Sequence, residues 1–166
     1  RTFALPYLRN IAVDVKDNLA LKPVEPPPMI VYARGAVNHS LVEISRLGYD
    51  VVGIDHTVEP AWARQCLAQA QSSNRKFSEV EVNKGAQHRI AIQGNLDPAI
   101  LYARPEVIQD RVRRMFQTTT GGFGGQGALI CNLGQGITPG VDPDHLRVFL
   151  EAVHRVSKEM ADNNDD

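Results

Sequence analysis

Cysteine is scarce in this chain. Cys66 and Cys131 are the only two in 166 residues, far apart and with no CxxC or Cys/His spacing around them. That excludes a disulfide framework and argues against a structural zinc site. Both fall on apolar faces, so they read as buried free thiols of a protein kept in a reducing compartment. An excess of charge is missing too. Lys and Arg number 18 against 19 Asp and Glu, a formal net charge of -1, whereas nucleic-acid or membrane-surface partners call for a basic surplus. No apolar run approaches the roughly 20 residues of a membrane span, and no signal peptide is recognisable. The five histidines share no ligand spacing, which leaves no metal site to propose. What is present is a 43% hydrophobic, 22% charged chain, the profile of one soluble globular unit with an ordinary core. It opens on Arg1 and enters a helical pattern at once, so the expectation is a piece of a longer protein.

The informative stretch is Ala128-Leu-Ile-Cys-Asn-Leu-Gly-Gln-Gly-Ile137. Ala128 to Asn132 is apolar and short, as a strand buried on both faces of a parallel sheet would be. Gly134-Gln-Gly136 follows, two glycines that let the backbone take positive φ and approach a ligand closely. After a turn at Pro139-Gly140, Asp142 and Pro143 supply an N-cap and a first-turn proline for a closing helix. A strand, a glycine-lined loop and a helix make the unit whose loop carries ligands in parallel α/β proteins.

The same unit recurs along the chain. A helical stripe runs from Phe3 to Leu21 through Leu5, Leu8, Ile11, Ala12, Val15 and Leu19, and Pro23 and Pro26–Pro28 end it. Met29–Ala33 is a strand that exits through Arg34-Gly35. Asn38 then caps a helix with Leu41, Val42, Ile44 and Leu47 inward, closed by Gly48. Tyr49–Asp55 is the next strand, followed by a helix from Glu59-Pro60 with Ala63, Cys66, Leu67 and Ala70 inward. Ser72–Gln87 is polar and reads as an exposed insertion. Arg89–Gln93 resumes the strands, exits through Gly94-Asn-Leu-Asp-Pro98 and leads into a helix with Ile108, Val112, Met115 and Phe116 inward. Thr118–Gly127 is a glycine-rich loop. The last helix buries Leu146, Phe149, Leu150, Val153 and Val156, with Arg111, Arg113 and Arg114 on a solvated face of the one before it. Four βα units predict a parallel sheet with right-handed crossovers, either a doubly wound open sheet or part of a (β/α) barrel. Polar residues gather at every strand exit: Arg34; Asp55-His56-Thr57; Gln93, Asn95 and Asp97; Asn132 and Gln135. A barrel aims all of these at one mouth.

Gly48-Tyr-Asp-Val-Val-Gly-Ile-Asp55, Gln93-Gly-Asn-Leu-Asp-Pro98 and Asn132-Leu-Gly-Gln-Gly136, with Asp142-Pro143 and Val153-His154, resemble the carboxyl-terminal half of uroporphyrinogen decarboxylase. Phe3-Ala-Leu-Pro-Tyr7 resembles the helix that precedes these strands in that family. The motifs stand in the family's order over nearly the whole chain. The resemblance implies the carboxyl-terminal half of a (β/α)8 TIM barrel, with residues 1–166 as a partial barrel domain carrying an exposed insertion near 72–88. It implies a cytosolic homodimer that uses no cofactor or metal. The implied reaction removes carbon dioxide from the four acetate side chains of uroporphyrinogen III, giving coproporphyrinogen III in haem biosynthesis. The family's pyrrole-binding aspartate and its carboxylate-binding arginines, tyrosine and serine lie upstream of Phe3 or in the amino-terminal half, so none is placed here.

One family site residue does fall in this chain, the histidine of Asn-Leu-Gly-His-Gly, and its place is taken by Gln135. A carboxamide still donates and accepts hydrogen bonds to a carboxylate or pyrrole, but it carries no proton near neutral pH as imidazole does. Gln135 is therefore the candidate substrate contact. Asp55 and Asn95 are further candidates, each with a structural alternative: Asp55 as the cap of the Thr57–Pro60 turn, Asn95 with Asp97 in loop closure and helix capping. Arg34 either meets a carboxylate or is an ordinary surface arginine. No residue is assigned as catalytic, and the segment alone is expected to be inactive. Two alternatives accompany this reading: a non-catalytic truncated remnant, and a cobalamin/zinc methyltransferase of the same barrel superfamily, whose His-x-Cys zinc motif this sequence lacks.

Overall fold

The computed structural model describes residues 3–21, 26–35, 39–73, 90–117 and 129–162. Helix α1 (Leu5–Ala20) precedes β1 (Ile30–Tyr32), α2 (His39–Ile44), β2 (Val51–Gly53), α3 (Pro60–Ser73), β3 (Ala91–Leu96), a 3-10 turn at Pro98–Tyr102, α4 (Pro105–Gln117), β4 (Leu129–Leu133) and α5 (Pro143–Asp162). All three strand pairings are parallel, and the order across the sheet is β1-β2-β3-β4. A doubly wound sheet reverses direction at a switch point. This one does not: each strand is added to the same side of the last, as in a barrel wall.

Register and strand alternation sort the side chains into two faces. One row across the sheet is Val31, Val52, Ile92 and Leu129; the first three are at most 5% exposed. They pack under the helices against Leu41, Ala63, Leu67, Ile108, Val112 and Phe149, each fully buried Val, Leu, Ile or Phe side chain contributing roughly 1.5–3 kcal/mol. The adjacent row is Tyr32, Gly53, Gln93 and Ile130, on the opposite, inner face. There the edge strands are open: Ile30 and Tyr32 are each 45% exposed and Ile130 40%.

Helix α1 is fastened to the start of β2. Lys16 pairs with Asp50 at 3.0 Å, the other Asp50 carboxylate oxygen accepts the Met29 N–H at 2.7 Å, and the Tyr49 hydroxyl donates to the Leu8 carbonyl at 2.9 Å. At the other end of the chain, Asp142 accepts the Asp144 N–H at 2.9 Å, the capping its place before Pro143 predicts.

Several expectations about burial need correction. Strand β4 is not buried on both faces; Leu129, Cys131 and Leu133 are half-buried while Ile130 and Asn132 are exposed, because an edge strand on an open face has cover on one side only. Cys66 and Cys131 are free but half-buried rather than fully enclosed. In α1 only Ala12 is fully buried, and Ile11 and Val15 face out on a row shared with Phe3 and Tyr7. The helix meets its neighbours along a narrower line, that of Leu5, Leu8 and Ala12. In α5 Leu150 is exposed and Ala152 is buried in its stead, since two residues are a rotation of about 200° on a helix. Strand β3 runs on past Gln93 to Leu96, carried by continued pairing with β4. The Asn38 cap, the Thr118–Gly127 loop and all but the first residues of the Ser72–Gln87 insertion lie outside the described residues; Ser72 and Ser73 close α3.

Candidate functional site

The carboxyl-terminal ends of the strands meet at the loop after β4. Gly134 is held there from three sides. Its N–H donates to the Leu96 carbonyl of β3 at 2.7 Å. Its carbonyl accepts the Tyr32 hydroxyl of β1 at 2.9 Å. Its Cα rests on the segment leaving β2, so close that an added Cβ would collide with the His56 backbone nitrogen. The expectation that Gly134 and Gly136 adopt positive φ for a ligand is not met. The glycines with positive φ are 35, 48, 94 and 140 among the described residues, and Gly134 is needed for contact with the protein's own backbone.

Over this loop opens a cavity of about 410 Å³. Its polar lining is the Tyr32 phenol with three carboxamides, Gln93, Asn132 and Gln135; Ile54, Ile137 and Leu146 form apolar walls. Asn132 already uses its side-chain oxygen on the Leu133 N–H at 2.8 Å. Apolar walls with a few fixed polar groups suit a small organic ligand. Carboxamides both donate and accept, so they fit pyrrole N–H groups and carboxylates alike. No lining residue carries a formal charge at neutral pH.

The other two candidates lie beside this cavity and do not line it. Asp55 is 5% exposed. Its carboxylate accepts the Gly35 N–H at 2.6 Å, the Thr57 N–H at 2.9 Å and the Thr57 hydroxyl at 2.5 Å. Burial by itself raises the carboxyl pKa. The bonds from Thr57 and Gly35, with neighbouring His56, outweigh burial and hold it below the usual carboxylate range. Asn95, 7% exposed, donates to the Asp55 carbonyl at 2.9 Å and the Val58 carbonyl at 2.7 Å. Asp97 caps the 3-10 turn through the Ala99 N–H at 2.9 Å, and Arg34 is exposed. Asp55 and Asn95 knit the exits of β1, β2 and β3 together, with Gln135 in the cavity next to them. His56 stands between the two sets, its enclosed Nδ1 without a partner among the described residues.

Tyr32 lies within a strand and carries no motif, so the sequence does not mark it. Its signal was cross-strand: Tyr32 is in register with Gly53, and a Cβ on Gly53 would come within 2.9 Å of the tyrosine ring. Among the described residues no three His, Cys, Asp or Glu side chains gather as a metal site would need. Burial pushes the Cys131 thiol up to about 12, far from a reactive thiolate. No described helix is long and apolar enough to cross a membrane.

Comparison with known proteins bears on the family and the fold. The family model for uroporphyrinogen decarboxylase matches residues 1–156. The human uroporphyrinogen decarboxylase is 36% identical over 161 residues, 97% of this chain and 37% of its own length. That of Schizosaccharomyces pombe is 40% identical over 153 residues, covering 92% of this chain and 36% of its own; that of Salinibacter ruber is 38% identical over 160 residues, 96% and 37%. The chain thus spans little more than a third of the curated relatives it matches. A solved methyltransferase from Methanosarcina mazei superposes with a TM-score of 0.62 over 93% of this chain and 36% of its own, at 15% identity, a likeness of fold alone.

Proposed function

This chain belongs to the uroporphyrinogen decarboxylase family, and from that premise we propose that it forms the carboxyl-terminal half of a barrel decarboxylating uroporphyrinogen III to coproporphyrinogen III. The carrying observation is the convergence of four strand ends on one cavity with Gln135 in its lining. Each acetate loses carbon dioxide and gains one proton, becoming a methyl group. The carbanion left by decarboxylation needs an electron sink, which the pyrrole provides once protonated on its ring. The protein's share is to position the substrate and stabilise developing charge.

In this reading Gln135, Asn132 and Gln93 accept hydrogen bonds from pyrrole N–H groups through their carboxamide oxygens or donate N–H to carboxylates at the mouth, and the apolar wall of Ile54, Ile137 and Leu146 receives the flat face of a pyrrole. Asp55 and Asn95 hold the floor and do not touch substrate. Acidic and cationic partners for the reacting acetate come from the rest of the parent protein. The parent acts as a cytoplasmic homodimer and needs no cofactor.

The test is anaerobic incubation of the full-length parent with uroporphyrinogen III, following coproporphyrinogen by chromatography of the oxidised porphyrins. Product formation supports the proposal, and its absence would favour a non-catalytic remnant. The isolated 166 residues are expected to give no product, because half of the barrel wall is lacking; turnover by them would overturn that division of labour.

A further inference from the structure

Gln135 lies between two glycines, and a glutamine on such a backbone has much freedom to lose. Its long side chain gives up rotamer entropy when fixed, and the flanking glycines add backbone freedom. A hydrogen-bonding group positions a substrate only when its own origin is held to about 0.5 Å. On the far side Gly136 borders open space among the described residues, since a Cβ there would meet nothing within 4 Å. On the near side the peptide joining Gly134 to Gln135 is gripped, and the side chain that grips it is Tyr32.

The grip spans the sheet. Tyr32 belongs to β1, the edge strand farthest from β4 in the order β1-β2-β3-β4. Its ring crosses the inner face above β2, where Gly53 leaves room: an added Cβ there would approach the ring Cδ2 at 2.9 Å and the Tyr32 Cβ at 3.1 Å. The hydroxyl then donates to the Gly134 carbonyl at 2.9 Å. One phenol therefore ties the two edge strands together, and the atom it holds is the carbonyl of the peptide from which Gln135 springs.

We infer that Tyr32 is a positioning residue for Gln135, a strap over Gly53 that fixes the loop peptide and so places the carboxamide in the cavity. The inference rests on the proposed decarboxylation only in its kinetic part. Tyr32 also lines the cavity, so direct substrate contact is the competing role, and the two roles differ in their coupling to Gln135. A residue acting through Gln135 has nothing left to contribute once that side chain is gone, whereas independent contacts add.

The experiment uses the full-length parent with Tyr32→Phe, Gln135→Ala and the double variant. Tyr32→Phe keeps the ring and removes only the strap, and KM for uroporphyrinogen is expected to rise about fivefold to tenfold with little change in kcat. The double variant is expected to match Gln135→Ala; additive losses would overturn the strap and make Tyr32 a substrate contact. Gly53→Ala, which displaces the ring, should reproduce the Tyr32→Phe loss and likewise vanish in the Gln135→Ala background. A readout without substrate separates this inference from the proposed function. Hydrogen exchange at the Gly134 amide, which donates to Leu96, should accelerate about fivefold to tenfold in Tyr32→Phe. Unchanged exchange would refute the strap even in an active enzyme, while faster exchange in a protein inert toward uroporphyrinogen would uphold the strap and reject the reaction.

Discussion

The exits of β2 and β3 and the exit of β4 carry the same kinds of residue and use them in opposite ways. At the first, Asp55 and Asn95 are buried, and their polar groups are spent on neighbouring backbone: three bonds to the carboxylate, two from the amide. At the second, Gln135 lies in a cavity lining, and the fixed bonds belong to the glycine before it. Polar residues at strand exits thus divide into a buried knot, which sets where the loops stand, and an open set, which can meet a ligand. Burial with saturated partners marks the first. A fixed backbone under an available side chain marks the second.

Substitutions that exchange the two behaviours test this division. The largest effect is expected from Asn95→Ala, which leaves the Asp55 and Val58 carbonyls buried without their donor. The cost is about 3 kcal/mol of stability, measured by urea unfolding of the full-length protein, with substrate KM little changed in the fraction that remains folded. A large KM effect with intact stability would put Asn95 in the open set instead.

Asp55→Asn should cost about 2 kcal/mol at neutral pH by weakening charge-assisted bonds, and the difference should depend on pH with a definite sign. The folded carboxyl sits below its usual range. Its contribution is therefore complete above the unfolded value near pH 3.9, and is lost as pH falls through the lower folded value. Unfolding curves for the two proteins should stand apart above about pH 4 and approach each other below it. A gap that widened on acidification would contradict the bonding assigned to Asp55.

The open set should behave the other way round. Gln135→Ala is expected to change stability by less than about 0.5 kcal/mol and to raise KM about tenfold, the equivalent of about 1.4 kcal/mol. Gln135→His should be the mildest change: imidazole keeps a donor and an acceptor, so steady-state turnover is expected to be preserved or to rise. A sharp loss would show that the β4 loop is tuned to the carboxamide.

The edge strands add a second lesson. Apolar runs such as Met29–Ala33 and Ala128–Asn132 read as fully buried strands, and for β2 and β3 burial on both faces is nearly complete. For β1 and β4 it is not, because a strand's apolar sequence prepares it for two covered faces while its position in the sheet determines how many it receives. The exposed Ile30, Tyr32 and Ile130 belong to that unfilled side. In α1 the apolar count was legible, but the angular width of the helix contact was not, which is why Ile11 and Val15 face outward.

Local chemistry determined much of this molecule from the sequence alone. Proline and glycine placed the element ends, periodicity placed the inward residues of α3 and α4, and Asp142-Pro143 placed the start of α5, since each of these depends on interactions within a few residues. The parallel sheet and the gathering of polar exits followed from the repeated βα order. Tertiary structure alone decided that Gly134 packs on His56, that Tyr32 reaches across Gly53 to the peptide before Gln135, and that Asp55 and Asn95 are consumed in the floor. Those facts depend on register between strands 20 to 100 residues apart, and a linear pattern of side-chain types carries no record of which backbone atom a distant hydroxyl or amide will meet.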